Sequence, residues 1–142
     1  MSKSGFNIRE YKAADEAVVT EIWKTVFAED PSWNEPVQVI HRKQAFQSEL
    51  FLVGELNGEV IATVLGGYDG FRGWIYHLAV LPSWRHRGFA RMMMMAIEGK
   101  LLDLGCIKIN LQVRASNLEA TEFYRSVGFS VEDHISMGKL LQ

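Results

Sequence analysis

The chain has 142 residues, 48% hydrophobic and 23% charged, which bounds it to one ordinary globular domain over residues 1–142. Fifteen basic residues against seventeen acidic ones leave a net charge of −2, which excludes a broad electrostatic grip on nucleic acid or on an anionic membrane and leaves room only for a local basic patch. The one cysteine, Cys106, excludes an internal disulfide and a thiolate zinc cluster.

The opening residues lack an apolar core of signal-peptide length. The longest apolar run, residues 92–97, is far short of the roughly 18 residues of a membrane span. A cytoplasmic location is the expectation, with no membrane partner and no metal.

In chain order, residues 6–11 read as a first strand. Residues 15–27 repeat apolar side chains at helical spacing, Val18, Ile22 and Val26 beside Val19, Trp23 and Phe27. Asn34 is placed to cap a second helix that has Pro36 in its first turn. Residues 50–56 and 59–68 are strands joined by Asn57-Gly58, a dipeptide that tolerates positive φ at both positions and so marks a tight hairpin. After the turn Asp69-Gly70-Phe71-Arg72-Gly73, residues 74–80 form a third strand of this meander.

The second half changes character. The strand over 74–80 enters a basic loop, a helix follows over 88–104, and Gly105 closes it. A strand over 106–113 then makes a parallel crossover pair with the strand before the loop. Asn117 caps a short helix ending at Gly128, and residues 129–137 read as a last strand. The expected class is α+β, a mixed and mostly antiparallel sheet with one parallel pair, flanked by helices.

Arg85-His86-Arg87-Gly88-Phe89-Ala90 carries the clearest chemistry. It joins a strand to a long helix, where unpaired backbone N–H groups and the helix dipole favour an anion. Gly88 allows close backbone approach, and Arg85 and Arg87 add charge. A phosphate or pyrophosphate is the natural ligand; a plain basic turn opening a helix is the structural alternative. The glycine-rich loop of ATPases and the three-glycine dinucleotide fingerprint are both missing from the sequence.

The stretch from His77 through Leu78-Ala79-Val80-Leu81-Pro82-Ser83-Trp84 to Ala90 resembles the acetyl-CoA signature of the GNAT N-acetyltransferase superfamily. A second stretch, Asn117 with Ala120 and Phe123-Tyr124-Arg125-Ser126-Val127-Gly128-Phe129, resembles that family's later signature. More narrowly, residues 51–60, the segment Gly66-Gly67-Tyr68-Asp69-Gly70 with Arg72-Gly73, and Trp33-Asn34 look like the YpeA-type bacterial acetyltransferases. The resemblance implies the GNAT fold, with the parallel strand pair splayed, and acetyl-CoA as cosubstrate.

It also implies roles. Arg85, His86, Arg87, Gly88, Phe89 and Ala90 would hold the CoA pyrophosphate, and backbone near Leu78 and Val80 would pair with pantetheine. Asn117 would contact CoA, although helix capping alone accounts for it. Tyr124 sits where the family has the acid that protonates the departing thiolate; packing on the core is its bland reading. The strand 74–77 has no carboxylate, so His77 is the candidate base; a structural His77 with water carrying the proton is the alternative. Tyr76 and His77 face opposite sides of a regular strand, so a bulge is needed to bring both to one pocket.

The acceptor pocket is expected from Trp33, Asn34, Tyr68 and Asp69, with Arg72 nearby. Asp69, Glu55 and Asp30 are other candidate acids, and Asp69 in its turn reads more readily as a turn former than as a base. The four methionines 92–95 and Cys106 read as core. The function so implied is transfer of acetyl from acetyl-CoA to an amine of a small molecule or protein. The alternative is a GNAT-fold module that binds acyl-CoA without catalysis. A homodimer is compatible with either, the final strand offering an edge to a second chain.

Overall fold

The apolar runs form a five-stranded sheet in the computed structural model, which describes residues 5–141. Its strands are β1 (Phe6–Glu10), β2 (Phe51–Leu56), β3 (Glu59–Tyr68), β4 (Gly73–Val80) and β5 (Ile109–Asn110), ordered in space as in the chain. β1 to β4 are antiparallel to their neighbours, and β4 and β5 are parallel. The helices are α1 (Glu16–Val26), α2 (Pro36–Gln44), α3 (Phe89–Asp103) and α4 (Leu118–Ser126). This is the expected α+β class with its single parallel pair.

The described residues group into two bodies, 5–111 and 112–141. The first holds the sheet and α1 to α3. The second holds α4, and within it the Gln112 amide donates to the Ser136 hydroxyl. Among the described residues no helix is long and apolar enough to cross a membrane.

Asn57 (φ 52°) and Gly58 (φ 87°) both take the left-handed conformation, the twist that matches the strands they join. On one sheet face, Phe51 and Val53 pack with Val19, Ile22 and Trp23 of α1 and with Val39 and Ile40 of α2. Burying each such side chain contributes about 1.5–3 kcal/mol. On the other, α3 lies so close that a Cβ on Gly54 would stand 2.8 Å from the Met93 sulfur, and one on Gly66 2.9 Å from Ile97. Met93 and Met94 are buried and Met95 is exposed, so core packing accounts for two of the four methionines.

β3 outruns β2. Its pairing to β2 stops at Leu65, and side chains from the α2 end meet the residues beyond. Lys43 Nζ donates to the Gly66 carbonyl. Gln47 Nε2 donates to the Tyr68 carbonyl at 2.6 Å, and the Tyr68 amide donates back to Gln47 Oε1 at 2.9 Å. One side chain thus replaces a strand residue. Gln47→Ala strips both partners from Tyr68 and is expected to cost about 1–3 kcal/mol in a urea melt.

Three local expectations differ from the structure. Asn34 lies in a one-turn 3-10 helix, and the cap of α2 is Glu35, whose carboxylate accepts from the Val37 and Gln38 amides at 3.2 Å each. The strand expected over 106–113 shrinks to Ile109–Asn110, because only Gly73 and Trp74 pair with it. Residues 129–137 form no strand: Val131, Ile135 and Met137 alternate correctly but are all exposed, and no ladder binds their backbone. Alternation specifies a strand only where one face is buried.

Candidate active site

The register of β4 shapes the site. It pairs with β5 only through Gly73 and Trp74, then continues to Val80 while β5 ends. Backbone from residue 75 onward therefore runs past the end of its parallel neighbour. On its other side β4 loses register with β3: Leu65 faces Tyr76, and Thr63 faces Ala79. Two residues, His77 and Leu78, lie opposite Val64 alone, which is a bulge. His77 takes φ 51° there, a conformation that costs a non-glycine residue about 1 kcal/mol or more.

The bulge turns the His77 ring onto α1. Its centroid lies 4.6 Å from that of Trp23 and 5.0 Å from that of Phe27. Burial pushes its pKa below the ordinary 6.5, with Asp30 pulling the other way. His77 is therefore neutral at pH 7 and able to accept a proton. A cavity of about 320 Å³ opens here, lined by His77, Trp23, Phe27, Asp30, Asn34 and Glu35 among others. Asn34 Nδ2 donates to Asp30 Oδ2 at 3.3 Å between two of its lining residues.

After β4, a 3-10 turn over Pro82–Trp84 leads into the basic loop. Arg85 Nε donates to the Val80 carbonyl at 3.2 Å, and the Arg87 guanidinium lies 5.0 Å from the Trp84 ring centroid. His86 (φ 64°) and Gly88 (φ 87°) both adopt left-handed backbone. Gly88 is the N-cap of α3, and no side chain caps the helix. Arg85, His86, Arg87 and Gly88 are exposed, Ala90 is half-buried, and Phe89 is buried with its ring centroid 4.5 Å from that of Phe6. The first-turn amides of a fifteen-residue helix, left uncapped by any side chain, have the polarity and dipole to hold an anion.

In the second body, Asn117 Oδ1 accepts from the Ala120 amide at 3.1 Å and caps α4. Gly128 (φ 103°) ends it: Gly128 donates to the Arg125 carbonyl and Phe129 to that of Tyr124. This closure sets the Phe129 ring 5.8 Å from Tyr124, with Phe123 at 5.3 Å on its other flank. Burial pushes the Tyr124 hydroxyl up to about 12.

Residues 17–129 match the acetyltransferase (GNAT) family. The chain belongs to the GNAT acetyltransferase family. An acetyltransferase of Yersinia pestis is 40% identical over 134 residues, covering 94% of each chain. Ard1 of Thermoplasma volcanium has the same fold, with a TM-score of 0.78, 26% identity, and 90% of this chain and 84% of that one covered. The aminoglycoside N-acetyltransferase AAC(6')-Iy, solved with CoA, also has a TM-score of 0.78, at 15% identity over 99% of this chain and 98% of that one.

Within this GNAT domain the residues suggested for the acceptor separate. Asn34 lines the α1 cavity. Trp33 is 52% exposed, and its carbonyl accepts from Arg42. The Tyr68 hydroxyl reaches toward the Gly105 carbonyl at 3.5 Å. Asp69 is a turn former: Oδ1 accepts from the Arg72 and Phe71 amides at 2.8 Å each, and those bonds hold its pKa below the carboxylate norm. Arg72 stacks on Phe71, 4.6 Å from the ring centroid. Neither Tyr68 nor Asp69 is among the residues lining the cavity.

Sequence reasoning passed over Trp23, Thr63 and Glu35. Trp23 reads as one more apolar position on α1, and Thr63 as a polar interruption of β3. Cys106 is buried and donates weakly to the Lys108 carbonyl at 3.4 Å, a core thiol. Among the described residues no cluster of three or more His, Cys, Asp or Glu side chains is placed to hold a metal ion.

Proposed function

We propose that the protein is an N-acetyltransferase that moves acetyl from acetyl-CoA to a primary amine by direct attack. The observation that carries this reading is the uncapped α3 terminus, with Gly88 at φ 87° and the basic loop before it. Backbone amides there bind the pyrophosphate, and Arg85, His86 and Arg87 supply charge around it. Pantetheine lies along the β4 edge near Leu78 and Val80, where strand-like pairing is open to a ligand. Asn117 contacts CoA as well as capping α4.

The amine enters the α1 cavity beside Asn34 and Asp30. It is protonated in water, with a pKa near 10.4 for a lysine-type amine, and must lose a proton to attack. His77, held neutral by burial, takes that proton. Tyr124 then serves the leaving sulfur. Burial raises the phenol, so it keeps its proton at neutral pH and has one to give.

Acetyl-CoA at a hundred times its Kd is expected to add about 2.7 kcal/mol of stability, visible as a raised Tm. Thiol release with a panel of amines then reads turnover. Binding without release from any amine favours the non-catalytic acyl-CoA module, and a Tm that does not move overturns both readings. The pH profile tests His77. Only the neutral imidazole accepts a proton, so kcat/KM rises with pH through the lowered pKa and levels off, with its acid midpoint below 6.5. His77→Gln is expected to remove that limb and lower kcat about a hundredfold.

A further inference from the structure

We propose that Thr63 and Trp23 are positioning residues, a two-step hydrogen-bond relay that holds His77 in its left-handed conformation facing the α1 cavity. The inference rests on the reading in which His77 takes the proton of the amine.

The relay is built from two elements distant in sequence. The Trp23 indole Nε1–H donates to Thr63 Oγ1 at 2.9 Å, and the Thr63 hydroxyl donates to the His77 carbonyl at 2.9 Å. Thr63 is fully buried and Trp23 nearly so. A hydroxyl offers one proton and accepts others, and here its proton goes to His77 and its lone pair to Trp23. The placement coincides with the defect in the ladder: Thr63 faces Ala79, and His77 is one of the two residues that the register shift sets opposite Val64. The bulge takes the His77 carbonyl off the regular β3 pattern, and the Thr63 side chain meets it.

Trp23 acts twice. Its N–H fixes the hydroxyl, and its ring forms the wall against which the imidazole leans at 4.6 Å. With both contacts present the imidazole has one place to lie. Without the hydroxyl, the His77 carbonyl loses its partner and φ 51° loses one of the contacts that offset its cost, so the bulged segment is free to shift the ring off the Trp23 wall.

The test compares Thr63→Val, which keeps the shape and removes the hydroxyl, with Thr63→Ser, which keeps the hydroxyl. The first readout is the NMR titration of the His77 ring protons, which needs no turnover. The charged groups lining the cavity around the ring are Lys24, Asp30 and Glu35, and the variants leave all three in place. In Thr63→Val the midpoint is expected to move up toward 6.5 as the ring leaves the Trp23 wall; in Thr63→Ser it stays at the wild-type value.

The second readout is kinetic. Thr63→Val lowers kcat at least about tenfold with KM for acetyl-CoA unchanged, and Thr63→Ser restores it. Trp23→Phe, which keeps a ring and loses the N–H, shifts the titration in the same direction, and an unshifted midpoint there overturns the relay if Thr63→Val does not fold. A midpoint unchanged in folded Thr63→Val, or Thr63→Ser shifted as far as Thr63→Val, overturns the relay. A wild type inactive toward every amine overturns the role of His77 and leaves the titration to judge the relay by itself.

Discussion

The Arg87→Glu, Gly88→Asp double variant is expected to bind acetyl-CoA at least about a hundredfold more weakly than the wild type, a loss of about 2.7 kcal/mol. Three effects add. The glutamate exchanges an attractive charge for a repulsive one beside the pyrophosphate. The aspartate sets a negative carboxylate where the anion should lie. Its Cβ also occupies backbone that Gly88 leaves clear at φ 87°. The fold should survive, because both positions are exposed and an aspartate in left-handed backbone costs only about 1–2 kcal/mol. Isothermal calorimetry beside a thermal melt checks this. Unchanged affinity in the folded variant would place the anion elsewhere and remove the observation on which the proposed function rests.

Tyr124→Phe is expected to lower kcat about 100- to 1,000-fold and leave acetyl-CoA affinity within about twofold. The ring contacts with Phe123 and Phe129 are made by carbon atoms, and phenylalanine keeps them. Only the proton is lost. Departing as an unprotonated thiolate, the sulfur then keeps its full charge with no acid to meet it, which raises the barrier. Single-turnover thiol release beside calorimetry separates the two quantities. Full turnover in the variant would return Tyr124 to its bland role as a packing residue.

Local chemistry was legible in the sequence, and long-range chemistry was not. Asn57-Gly58, Gly105, Gly128 and the Asn117 cap each act within a few residues, and each is found where the residue types demanded. The basic loop and the opening of α3 were legible for the same reason. Strand periodicity says only that Tyr76 and His77 share a pocket if a bulge intervenes; the bulge lies at His77-Leu78 opposite Val64, a place set by the partner strand. Thr63 is fourteen residues from His77, and Trp23 is forty from Thr63; no spacing rule joins them. The same holds for Gln47, which binds a strand end twenty-one residues away. Glu35 was passed over as a cap because glutamate seldom serves as one, yet a carboxylate ahead of Pro36 has the reach to bind the next two amides. The last strand failed in the opposite sense. Its alternation is real, but side chains that stay in water leave nothing to fix the backbone.

The overrun of β3 past β2 bears on how the protein behaves in a crowded solution. An open strand end exposes a row of amides and carbonyls to any other chain in extended form, and this is the usual seed of sheet-to-sheet association. Lys43 and Gln47 fill that row from within the same molecule, and the lysine brings a charge that a second strand would have to bury. The two side chains therefore act as a terminator for the sheet. Their joint loss would cost solubility as well as stability, as light scattering that grows with protein concentration below the melting temperature.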